Sequence, residues 1–562
     1  MNSFHPRIFF FLLFILPLIK ANSQSINAGA PVFEEALRRR QLVGEFDSTI
    51  SFSVRPINVG FVTRKAIFKE EGFFELNKEK PRMGRSTHKK AFALLPVRNT
   101  VSFNSKRPYG WGNSLMVPNV GWQNYITAGV NVKFHFLNVQ LQPEFTLAQN
   151  KPYAGYPNDF NDRINQSRFA YWNVGDFPER YGERGDVKIW WGQSKISLNL
   201  GSFETGLSTG NIWWGPGQFN ALTFSNNAQG FPHLTLNTTR AAKTFLGSFE
   251  GQVIVGRLEN SLLEPSQHPE LNERYFRKFN GDWRYLNAMT VSYQPKWVPG
   301  LTVGFSRTFQ QYSEKIEGSF REYMPIFDAF QKTEVGFDKD GEGRDQQVSV
   351  FSRFLVPKAK AEIYFEYGRR DHAYNWREFV LNPDHARAYL IGFNKMIGLN
   401  KLNTYVQVRG EMLQQQESVN RYIRYDGLGG GISWHTHYSS RGFVNYGEAL
   451  GVGIGTGSNI QTLEIAYVEG IKKYGLRLER LVNNQDFYYR AFGTDPERKP
   501  WVDLSLGILL DYQWNRLVMS SKLQLIHGKN YQWQLASQSS REFPMGKDLF
   551  NVTAEGHLIY LF

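Results

Sequence analysis

The sequence VDLSLGILLDYQW, residues 502–514, alternates apolar and polar side chains almost without interruption. Apolar residues occupy every second position from Val502 to Trp514, whereas Asp503 and Asp511 fall on the opposite face, where Leu509 is the exception. Successive side chains of a β-strand point to opposite faces, so this stretch predicts a strand with one apolar and one polar face. An apolar face that ends in Tyr and Trp is typical of a strand that crosses a bilayer and meets an aromatic girdle.

The same alternation recurs from about residue 124 onward in runs of about ten residues, the length that a tilted membrane strand requires. Residues 402–412 and residues 361–370 are further examples. The last run, residues 552–562, places Leu558, Tyr560 and Phe562 on one face. We expect this terminal aromatic pattern to be the signal that the barrel-assembly machinery of an outer membrane reads.

Short connections alternate with long ones along these runs. Residues 137–138, 356–358, 397–400 and 513–516 predict tight turns, whereas residues 148–185, 257–282 and 311–345 predict long loops. Periplasmic turns and extracellular loops differ in this way in outer-membrane barrels, and the runs add up to about sixteen to twenty strands. The sequence therefore predicts an all-β fold, a large antiparallel transmembrane β-barrel over residues 122–562.

The first 23 residues have the features of a secretory signal peptide. Arg7 gives a basic start, residues 8–19 are apolar, and residues 21–23 form a cleavage site that predicts Gln24 as the new terminus. No other apolar run approaches about eighteen residues, which argues against a helical membrane protein. The chain has no cysteine, which excludes disulfides, thiolate metal sites and a catalytic Cys.

The formal net charge of +14 suggests anionic glycans or lipid phosphates as partners of an exported protein. Lys and Arg that merely solvate loops would give the same balance. Nucleic acid is not expected as a partner outside the cytoplasm.

Residues 24–121 predict a segment that lies in the periplasm or fills the barrel. Within it, residues 31–43 (PVFEEALRRRQLV) predict a short helix with a basic stripe from Arg38 to Arg40, which ends at Gly44. A second apolar run, residues 320–330, lies in a long loop and is apolar enough to fold over the barrel mouth. We expect the helix and this loop to plug the lumen.

The segment NIWWGPGQFNALTFSNNAQGFPHLTLNTTR, residues 211–240, is too dense in aromatic, amide and turn residues for a simple strand. Indole faces stack on the C–H faces of pyranose rings and amides fix sugar hydroxyls, so one interpretation is a polysaccharide-binding surface. The other is that the two Trp pack or belong to a girdle, and that Gly and Pro turn the chain. The candidate contacts are Trp213 and Trp214 as stacking faces, Asn211, Asn226, Asn227 and His233 as polar partners, and Arg240 for an acidic sugar.

The series WWGPG, SNNA and GFPHL in this segment resembles the Wzi-type capsule assembly proteins, in the branch found in Bacteroidota. Further blocks that agree are ALRRRQLVGEFD with SFSVRPI, GRDQQVSVFSRF, AEIYFEYGRRDH, PDHARAYLIGF and SWHTHYSSRGFVNYGEALGVGIGTGSN. The resemblance covers nearly all of the chain after the predicted signal peptide. It implies an outer-membrane barrel of about eighteen strands with occluding loops. It also implies a lectin-like role in attaching or organising capsular polysaccharide, without catalysis.

Two clusters allow other chemistry. Asp371, His372, Asp384 and His385 would hold a metal only if they converged at about 2.0–2.2 Å, and charge pairs with neighbouring Arg are the alternative. Ser225, with Asn226 and His233 nearby, allows a barrel-embedded lipase-type hydrolase. However, no G-x-S-x-G elbow surrounds Ser225.

An outer-membrane porin or specific solute transporter is the other alternative, which an open lumen would favour. The partners that we predict are capsular or exopolysaccharide, outer-membrane lipid and the barrel-assembly machinery. We expect a monomer that needs no cofactor and no metal and binds no nucleic acid.

Overall fold

The computed structural model describes residues 22–63, 91–279, 281–316, 318–327, 343–370, 380, 383–384, 386–417, 433–493 and 495–562. Within these residues the chain forms a closed antiparallel β-barrel of 18 strands, as the sequence pattern and the resemblance predict. Closure leaves the wall without an unpaired strand edge. Most of the predicted signal peptide, residues 1–21, lies outside the described residues.

The strands of the described residues, in chain order, are β1 (Asn22–Ile26), β2 (Val54–Arg55), β3 (Ile57–Thr63), β4 (Ala91–Asn104), β5 (Gly121–Phe134), β6 (Leu137–Leu141), β7 (Glu144–Ala148), β8 (Asp186–Trp190), β9 (Lys195–Leu200), β10 (Phe203–Ser208), β11 (Trp213–Trp214), β12 (His233–Thr238), β13 (Ala242–Lys243), β14 (Gly247–Leu258), β15 (Arg284–Pro295), β16 (Leu301–Tyr312), β17 (Asp345–Val356), β18 (Ala361–Arg370), β19 (Arg387–Gly398), β20 (Thr404–Gln414), β21 (Val444–Asn445), β22 (Glu448–Ala449), β23 (Asn459–Glu469), β24 (Lys472–Val482), β25 (Val502–Trp514), β26 (Leu517–Lys529) and β27 (Leu549–Tyr560).

The helices are α1 (Phe33–Leu42), α2 (Asp162–Trp172), α3 (Pro269–Tyr275), α4 (Phe320–Tyr323) and α5 (Gln485–Phe492), with 3-10 turns at Ser313–Lys315, Pro325–Phe327, Pro357–Ala359 and Tyr531–Trp533. Each wall strand pairs with its neighbours in the barrel, and β27 closes the barrel against β4. Three wall strands consist of two consecutive elements: β6 with β7, β8 with β9, and β12 with β13. Among the described residues, no helix is long and apolar enough to cross a membrane.

The two faces of β25 are those that its sequence predicts. Leu504, Leu506 and Ile508 are exposed on the outside of the barrel, whereas Asp503 and Asp511 are buried on the inside. The exposed apolar side chains continue around the wall, as required of a surface that faces lipid. Burial of the inner face shows that the interior is filled with protein.

Long and short connections separate to the two ends of the barrel. We call the end where β27 finishes the turn end, since tight turns such as 515–516 between β25 and β26 lie there. Asn515 in this turn has φ 51°, a left-handed conformation that Asn tolerates. The opposite end, called the loop end, carries the long connections, including residues 149–185, 259–283 and the described parts of 415–458.

The barrel wall begins earlier than the predicted boundary at residue 122. Strand β4 lies inside the stretch 24–121, which the sequence assigned to a segment before the barrel, yet β4 pairs with both β27 and β5. Its pairing with β5 shifts register between Leu95 and Arg98, on either side of Pro96. Pro cannot donate a ladder hydrogen bond, and the irregularity hides the alternation that marks the other strands.

Helix α1 lies inside the barrel, close to the turn end. Glu35 accepts hydrogen bonds from Arg409 of β20 (Nη2, 3.0 Å) and from Lys473 of β24 (Nζ, 2.9 Å). Arg38 donates from Nε to Glu362 of β18 at 2.7 Å, with both side chains buried. These wall residues point inward, so the predicted helix occupies the lumen.

Residues 318–327, called the strap, do not fold over the barrel mouth as the sequence predicts. Instead, the strap lies against the outward face of β15, β16 and β17 near the loop end. Arg307 pairs across the sheet with Met289, two positions from the exposed Val291, so it points outward, and its Nη1 donates to the Ile326 carbonyl at 3.0 Å. The outer wall carries polar side chains here, and the apolar strap covers them. Residues 328–330 of the predicted plug lie outside the described residues.

Candidate functional site

A chain segment, residues 209–232, leaves the wall after β10 and returns to it at β12. We call it the lumen segment because it crosses to the far side of the barrel. The Gln218 N–H donates to Glu411 of β20 at 2.7 Å, and Asn220 Nδ2 donates to the same carboxylate at 3.1 Å. The bend that makes this possible is Gly215-Pro216-Gly217: Gly215 has φ +96°, and a Cβ on Gly217 would lie 1.9 Å from the Asn220 carbonyl oxygen. The motif that stands out in the sequence is thus an internal crossing of the lumen.

The two tryptophans of the motif are buried in protein contacts. The Arg55 guanidinium lies over the Trp213 ring, with its Cζ 4.8 Å from the ring centroid. The two residues also pair through their backbones, Trp213 in β11 and Arg55 in β2. Trp214 is 0% exposed, donates from Nε1 to Gln252 at 2.9 Å and packs edge-on against Phe224 at 4.7 Å. Neither ring presents a free face.

The amides of the motif join the lumen segment to loops of the loop end. Asn226 Nδ2 donates to the Gly112 carbonyl at 2.6 Å, and Asn227 Nδ2 donates to the Ala449 carbonyl at 2.9 Å. Asn211 Nδ2 donates to the Ala228 carbonyl at 2.8 Å, within the segment itself. All three side chains are buried.

His233 and Arg240 are separated by the barrel wall strand that follows the lumen segment. His233 is buried, and its Nδ1 lies 2.8 Å from the Phe231 carbonyl. With Asn211 it lines a cavity of about 40 Å³ inside the barrel, which has room for a water molecule and not for a sugar ring. Arg240 is exposed at the turn end, where its Nε donates to Ser202 at 2.9 Å. The structure therefore places five of the seven predicted contacts in the lumen segment and His233 directly after it, at the start of β12, and leaves Arg240 apart.

Ser225, the candidate nucleophile, is held by backbone groups. Its hydroxyl donates to the Gly451 carbonyl at 2.6 Å and accepts from the Asn227 N–H at 3.0 Å. The hydrogen bonds that the structure describes for this hydroxyl are all with backbone atoms. A Ser held in this way is an element of a turn.

The loop end contains a cavity of about 130 Å³ where the lumen segment meets three loops. Asn227 contributes to it from the lumen segment, Trp111 from residues 105–120, and Phe177 and Tyr181 from residues 149–185. Tyr181 fixes one wall, since its hydroxyl donates to the Gly447 carbonyl at 2.8 Å. Aromatic faces beside fixed amides form the combination that a sugar-binding surface needs.

Two ionisable side chains of residues 433–458 complete the lining of this cavity, which we call the loop-end cavity. His435 is 3% exposed, its Nε2 lies 2.7 Å from the Val452 carbonyl, and burial lowers its pKa to about 4. Burial raises the pKa of Glu448 to about 8. Both groups are therefore neutral at pH 7, His435 as imidazole and Glu448 as carboxylic acid.

Sequence reasoning did not select Trp111, Phe177 or Glu448. A signal is present in hindsight: Trp111 stands in YGWGN, residues 109–113, and the stretch 447–457 contains Gly at every second position from Gly447 to Gly457 except 449. Neither stretch alternates like a wall strand, and aromatic residues between glycines suit a loop that packs closely. Their convergence depends on the fold.

The metal alternative cannot be followed through all its residues. Asp371, His372 and His385 lie outside the described residues, whereas the Asp384 carboxylate accepts from Arg387 Nε at 2.8 Å. In the part of the chain that the structure describes, no group of three or more His, Asp or Glu side chains could hold a metal ion.

The chain matches a family model and several solved barrels. The model of the capsule assembly protein Wzi matches residues 129–508. No curated protein matches the sequence. The fold is similar to that of Wzi from Escherichia coli, an outer-membrane protein described as a carbohydrate-binding β-barrel involved in group 1 capsule assembly, with 13% identity, a TM-score of 0.51, and coverage of 83% of this chain and 84% of that chain.

Other solved structures are less similar in shape. OccAB2 of Acinetobacter baumannii has 9% identity, a TM-score of 0.37, and coverage of 83% of this chain and 97% of that chain. OccK8 of Pseudomonas aeruginosa has 8% identity, a TM-score of 0.38, and coverage of 84% and 97%. At such identities a likeness concerns the fold alone.

Proposed function

Since the chain belongs to the Wzi capsule assembly protein family, we propose that it is an outer-membrane barrel that binds and organises capsular or exopolysaccharide at the cell surface. The family match over residues 129–508 carries this proposal. The motif series in residues 211–240 further supports placing the chain in the branch found in Bacteroidota. Binding, with no chemical change to the polysaccharide, is the activity that we assign.

The outward face of the barrel supports a position in the outer membrane. Its exposed side chains include Leu504, Ile508 and, at the turn end, Trp514 and Tyr560. Residues 1–23 then act as the export signal, and Leu558, Tyr560 and Phe562 as the signal for the assembly machinery. Because outer-membrane barrels place short turns in the periplasm and long loops outside, the loop end faces the medium.

The filled interior supports binding over solute transport. Helix α1 occupies the turn-end half of the barrel, and the lumen segment crosses above it, with Arg38 Nη2 donating to the Pro216 carbonyl at 2.8 Å where they meet. A porin needs a continuous aqueous path. We therefore place polysaccharide at the loop end, where the loop-end cavity lies, and not inside the barrel.

The burial of the motif changes the role that we propose for it. Asn211, Trp213, Trp214 and Asn226 shape the lumen segment, His233 begins the strand that follows it, and Asn227 links the segment to the cavity. Direct contact of the two Trp with polysaccharide stays a prediction, and it would require the lumen segment to open. The lipase alternative is weaker, because backbone groups hold the Ser225 hydroxyl.

Binding of purified barrel to polysaccharide released from the producing cells tests the proposal. We expect saturable binding by isothermal titration calorimetry, an unchanged chain length of the polysaccharide after incubation, and less cell-attached capsule when the protein is deleted. Absence of binding together with normal capsule retention would remove the proposed function. Shortening of the polysaccharide would instead favour an enzyme.

A further inference from the structure

We propose that the loop-end cavity holds one sugar residue that carries no acidic group and that donates hydrogen bonds to His435 Nδ1 and to the Glu448 carboxyl. The proposal rests on the proposed function and names the site and the class of sugar. His435 and Glu448 lie outside residues 211–240, the segment from which the candidate sugar contacts were predicted.

The size and the walls of the cavity suit a single pyranose ring. Its volume of about 130 Å³ is close to the roughly 150 Å³ of an engineered cavity that accommodates benzene. Trp111 and Phe177 are half-buried and give it flat apolar walls. The Phe177 ring also packs edge-on against His435, with centroids 5.7 Å apart, which fixes the orientation of the imidazole.

His435 presents an acceptor that lacks a partner. The Val452 carbonyl at 2.7 Å can only accept, so His435 Nε2 carries the hydrogen. In a neutral imidazole the other nitrogen is then a bare acceptor. Nδ1 is buried without a hydrogen-bond partner, on a side chain that is 3% exposed. A sugar hydroxyl or amine would supply the missing donor.

Glu448 provides a second atom without a hydrogen bond, its Oε1, on the same cavity. Its Oε1 is buried and makes no hydrogen bond. The Tyr181 hydroxyl, which donates to the Gly447 carbonyl at 2.8 Å, also lies beside the Glu448 carboxyl and lowers its pKa against the larger effect of burial. A buried carboxyl oxygen without a hydrogen bond is costly, and a ligand hydroxyl or amine would relieve that cost. Two such groups on one cavity indicate a ligand rich in donors.

The charge of the lining argues against an acidic sugar. Among the described residues that line the cavity, none is Lys or Arg, while Glu448 is a potential anion. Lys188 is not among the lining residues; its Nζ lies 5.4 Å from the Tyr181 ring centroid, and its charge lowers the pKa of Glu448 against the larger effect of burial. A uronic acid placed here would be desolvated without a cation among the described lining residues to pair with. The basic net charge of the whole chain, which suggests an anionic ligand, therefore does not describe the lining of this cavity.

Two substitutions and a matched control test the site by calorimetry with polysaccharide from the producing cells, fragmented to oligosaccharides. We expect His435→Phe and Glu448→Leu each to lower affinity about tenfold, the effect of a lost buried hydrogen bond. His268→Phe is the control, because its Nε2 also bonds a backbone carbonyl, that of Tyr156 at 2.9 Å, on a loop outside the cavity. Gel mobility of unheated samples shows whether each barrel is folded.

A conservative variant and a chemical treatment identify the ligand class. Glu448→Gln keeps the shape and hydrogen-bonding capacity of a neutral carboxyl, so retained affinity indicates a hydroxyl ligand, and loss equal to that of Glu448→Leu indicates an amine. Carbodiimide-assisted reduction of the uronic acids in the polysaccharide should leave the affinity of the unsubstituted protein unchanged.

Failure of the site and failure of the proposed function give different results. If the unsubstituted protein binds and both cavity variants bind equally well, the site is wrong and the proposed function stands. If carboxyl reduction abolishes binding, the ligand is acidic and the assigned class is wrong. If the unsubstituted protein binds no polysaccharide, both proposals fail.

The strap carries a second, independent inference: we propose that it is an interfacial anchor that contacts lipid of the outer leaflet. Its inner side satisfies polar groups on the outward wall, since the Ile326 N–H donates to Asn287 at 3.3 Å and the Tyr285 hydroxyl donates to the Tyr323 carbonyl at 2.6 Å. Its outer side exposes Phe320 by 76% and Phe327 by 70%.

Continuity with the lipid-facing wall identifies the occupant. The strap covers the loop ends of β15 and β16, directly above exposed apolar residues of the same face, Val291 and Val303. Exposed aromatic side chains at the edge of such a belt favour the bilayer interface. A protein partner would need no such alignment with the belt.

Fluorescence quenching tests the anchor. The Phe327→Trp variant adds a tryptophan to the strap. In vesicles made with brominated phospholipid, this variant should lose more fluorescence emission than the parent protein does. The control is Phe543→Trp, at a residue that is 74% exposed on a loop beyond β26, where we expect no added quenching. Equal quenching at both positions, or none at residue 327, would overturn the assignment.

Discussion

At the scale of single residues, the same composition serves two opposite purposes. Trp213 and Trp214 with their neighbouring amides have the chemistry of a sugar-binding surface, yet Trp214 is fully buried and bonded to Gln252. Aromatic rings and amides are equally suited to filling a polar barrel interior, because they combine bulk with hydrogen bonds. Only the path of the chain decides between the two, and a local sequence does not contain that path.

The burial of Trp214 predicts a stability effect. We expect Trp214→Ala to destabilise the folded barrel by about 3–5 kcal/mol, because a large cavity opens and Gln252 loses its partner. Trp297→Ala is the control, since that ring is 65% exposed in a turn at the turn end and should change little. Unfolding in denaturant, followed in detergent, measures both variants. Normal stability combined with lost polysaccharide binding would restore the stacking interpretation.

Glu448 predicts a pH dependence at the loop end. Its pKa is raised to about 8 from 4.5 by burial, so the folded loops hold the proton while the unfolded loops release it between these pH values. Protonated Glu448 therefore stabilises the folded loops at pH 5, and this contribution to the free energy of unfolding, at most a few kcal/mol, is lost as the pH rises toward 8. Glu448→Gln should abolish this loss.

Limited proteolysis of the loops measures the effect as the ratio of cleavage rates between variant and parent. We expect this ratio to be near one at pH 5 and to fall well below one at pH 8. Glu264→Gln, at a half-exposed carboxylate on a neighbouring loop, should follow the parent at both values. A ratio that does not change with pH contradicts the raised pKa.

At the scale of elements, α1 is held by charges that the wall supplies. Glu35 of α1 forms ion pairs with Arg409 and Lys473 of the wall. Glu362 of the wall forms ion pairs with Arg38 of α1 and with Arg353 of β17, whose Nη2 lies 2.5 Å from the Glu362 carboxylate. Buried ion pairs contribute little net stability, but breaking one is costly. The network therefore fixes where the helix sits more than how stable the barrel is.

Reversing one charge should release the helix. We expect Glu35→Lys to raise ion conductance in planar bilayers several-fold, because four cations, Arg39, Arg409, Lys473 and the new Lys, would then repel one another. Glu45→Lys is the matched control, since Glu45 is about half-exposed beyond the helix. A conductance that stays at the level of the parent protein would show that other segments seal the lumen.

The elements also show how far the sequence can predict this fold. Alternation in β25 is sufficient because one face meets lipid and the other meets filled interior, which forces opposite side chains at every step. In β4, Pro96 and the register shift break that alternation. The prediction for the strap is wrong for a different reason. Its apolar residues correctly indicate that it covers a surface, but the sequence does not say which one. The structure shows that this surface is the outward wall around Arg307.

The loop-end cavity marks the limit of prediction for the site. Trp111, Phe177 and His435 come from three loops that are separated by tens to hundreds of residues, and each loop alone has an ordinary composition. Periodicity cannot report such a meeting, because loops have no repeat that relates one to another.

At the scale of the whole molecule, the bilayer imposes a depth dependence on the wall. Leu506 is near the middle of β25 and Trp514 is at its turn end, both exposed on the outside. We expect Leu506→Arg to cost about 2–4 kcal/mol and Trp514→Arg about 0–1 kcal/mol, since charge is tolerated only near the interface. Urea titration in lipid vesicles measures both. Equal costs would argue against the proposed membrane position of this strand.

The contact between Arg38 and Pro216 has a mechanical meaning. A polysaccharide that is pulled by flow or by neighbouring cells loads the residues that hold it, and loops alone would stretch. Asn227 of the lumen segment donates a hydrogen bond to the Ala449 carbonyl in one of the cavity loops. The lumen segment in turn accepts hydrogen bonds from Arg38 at the Pro216 carbonyl and from Arg55 at the Gly217 carbonyl. Arg38 in turn is fastened to Glu362 in the wall. For polysaccharide bound in the proposed loop-end cavity, these hydrogen bonds form a continuous path from the loops to the barrel wall, along which tension would be transmitted.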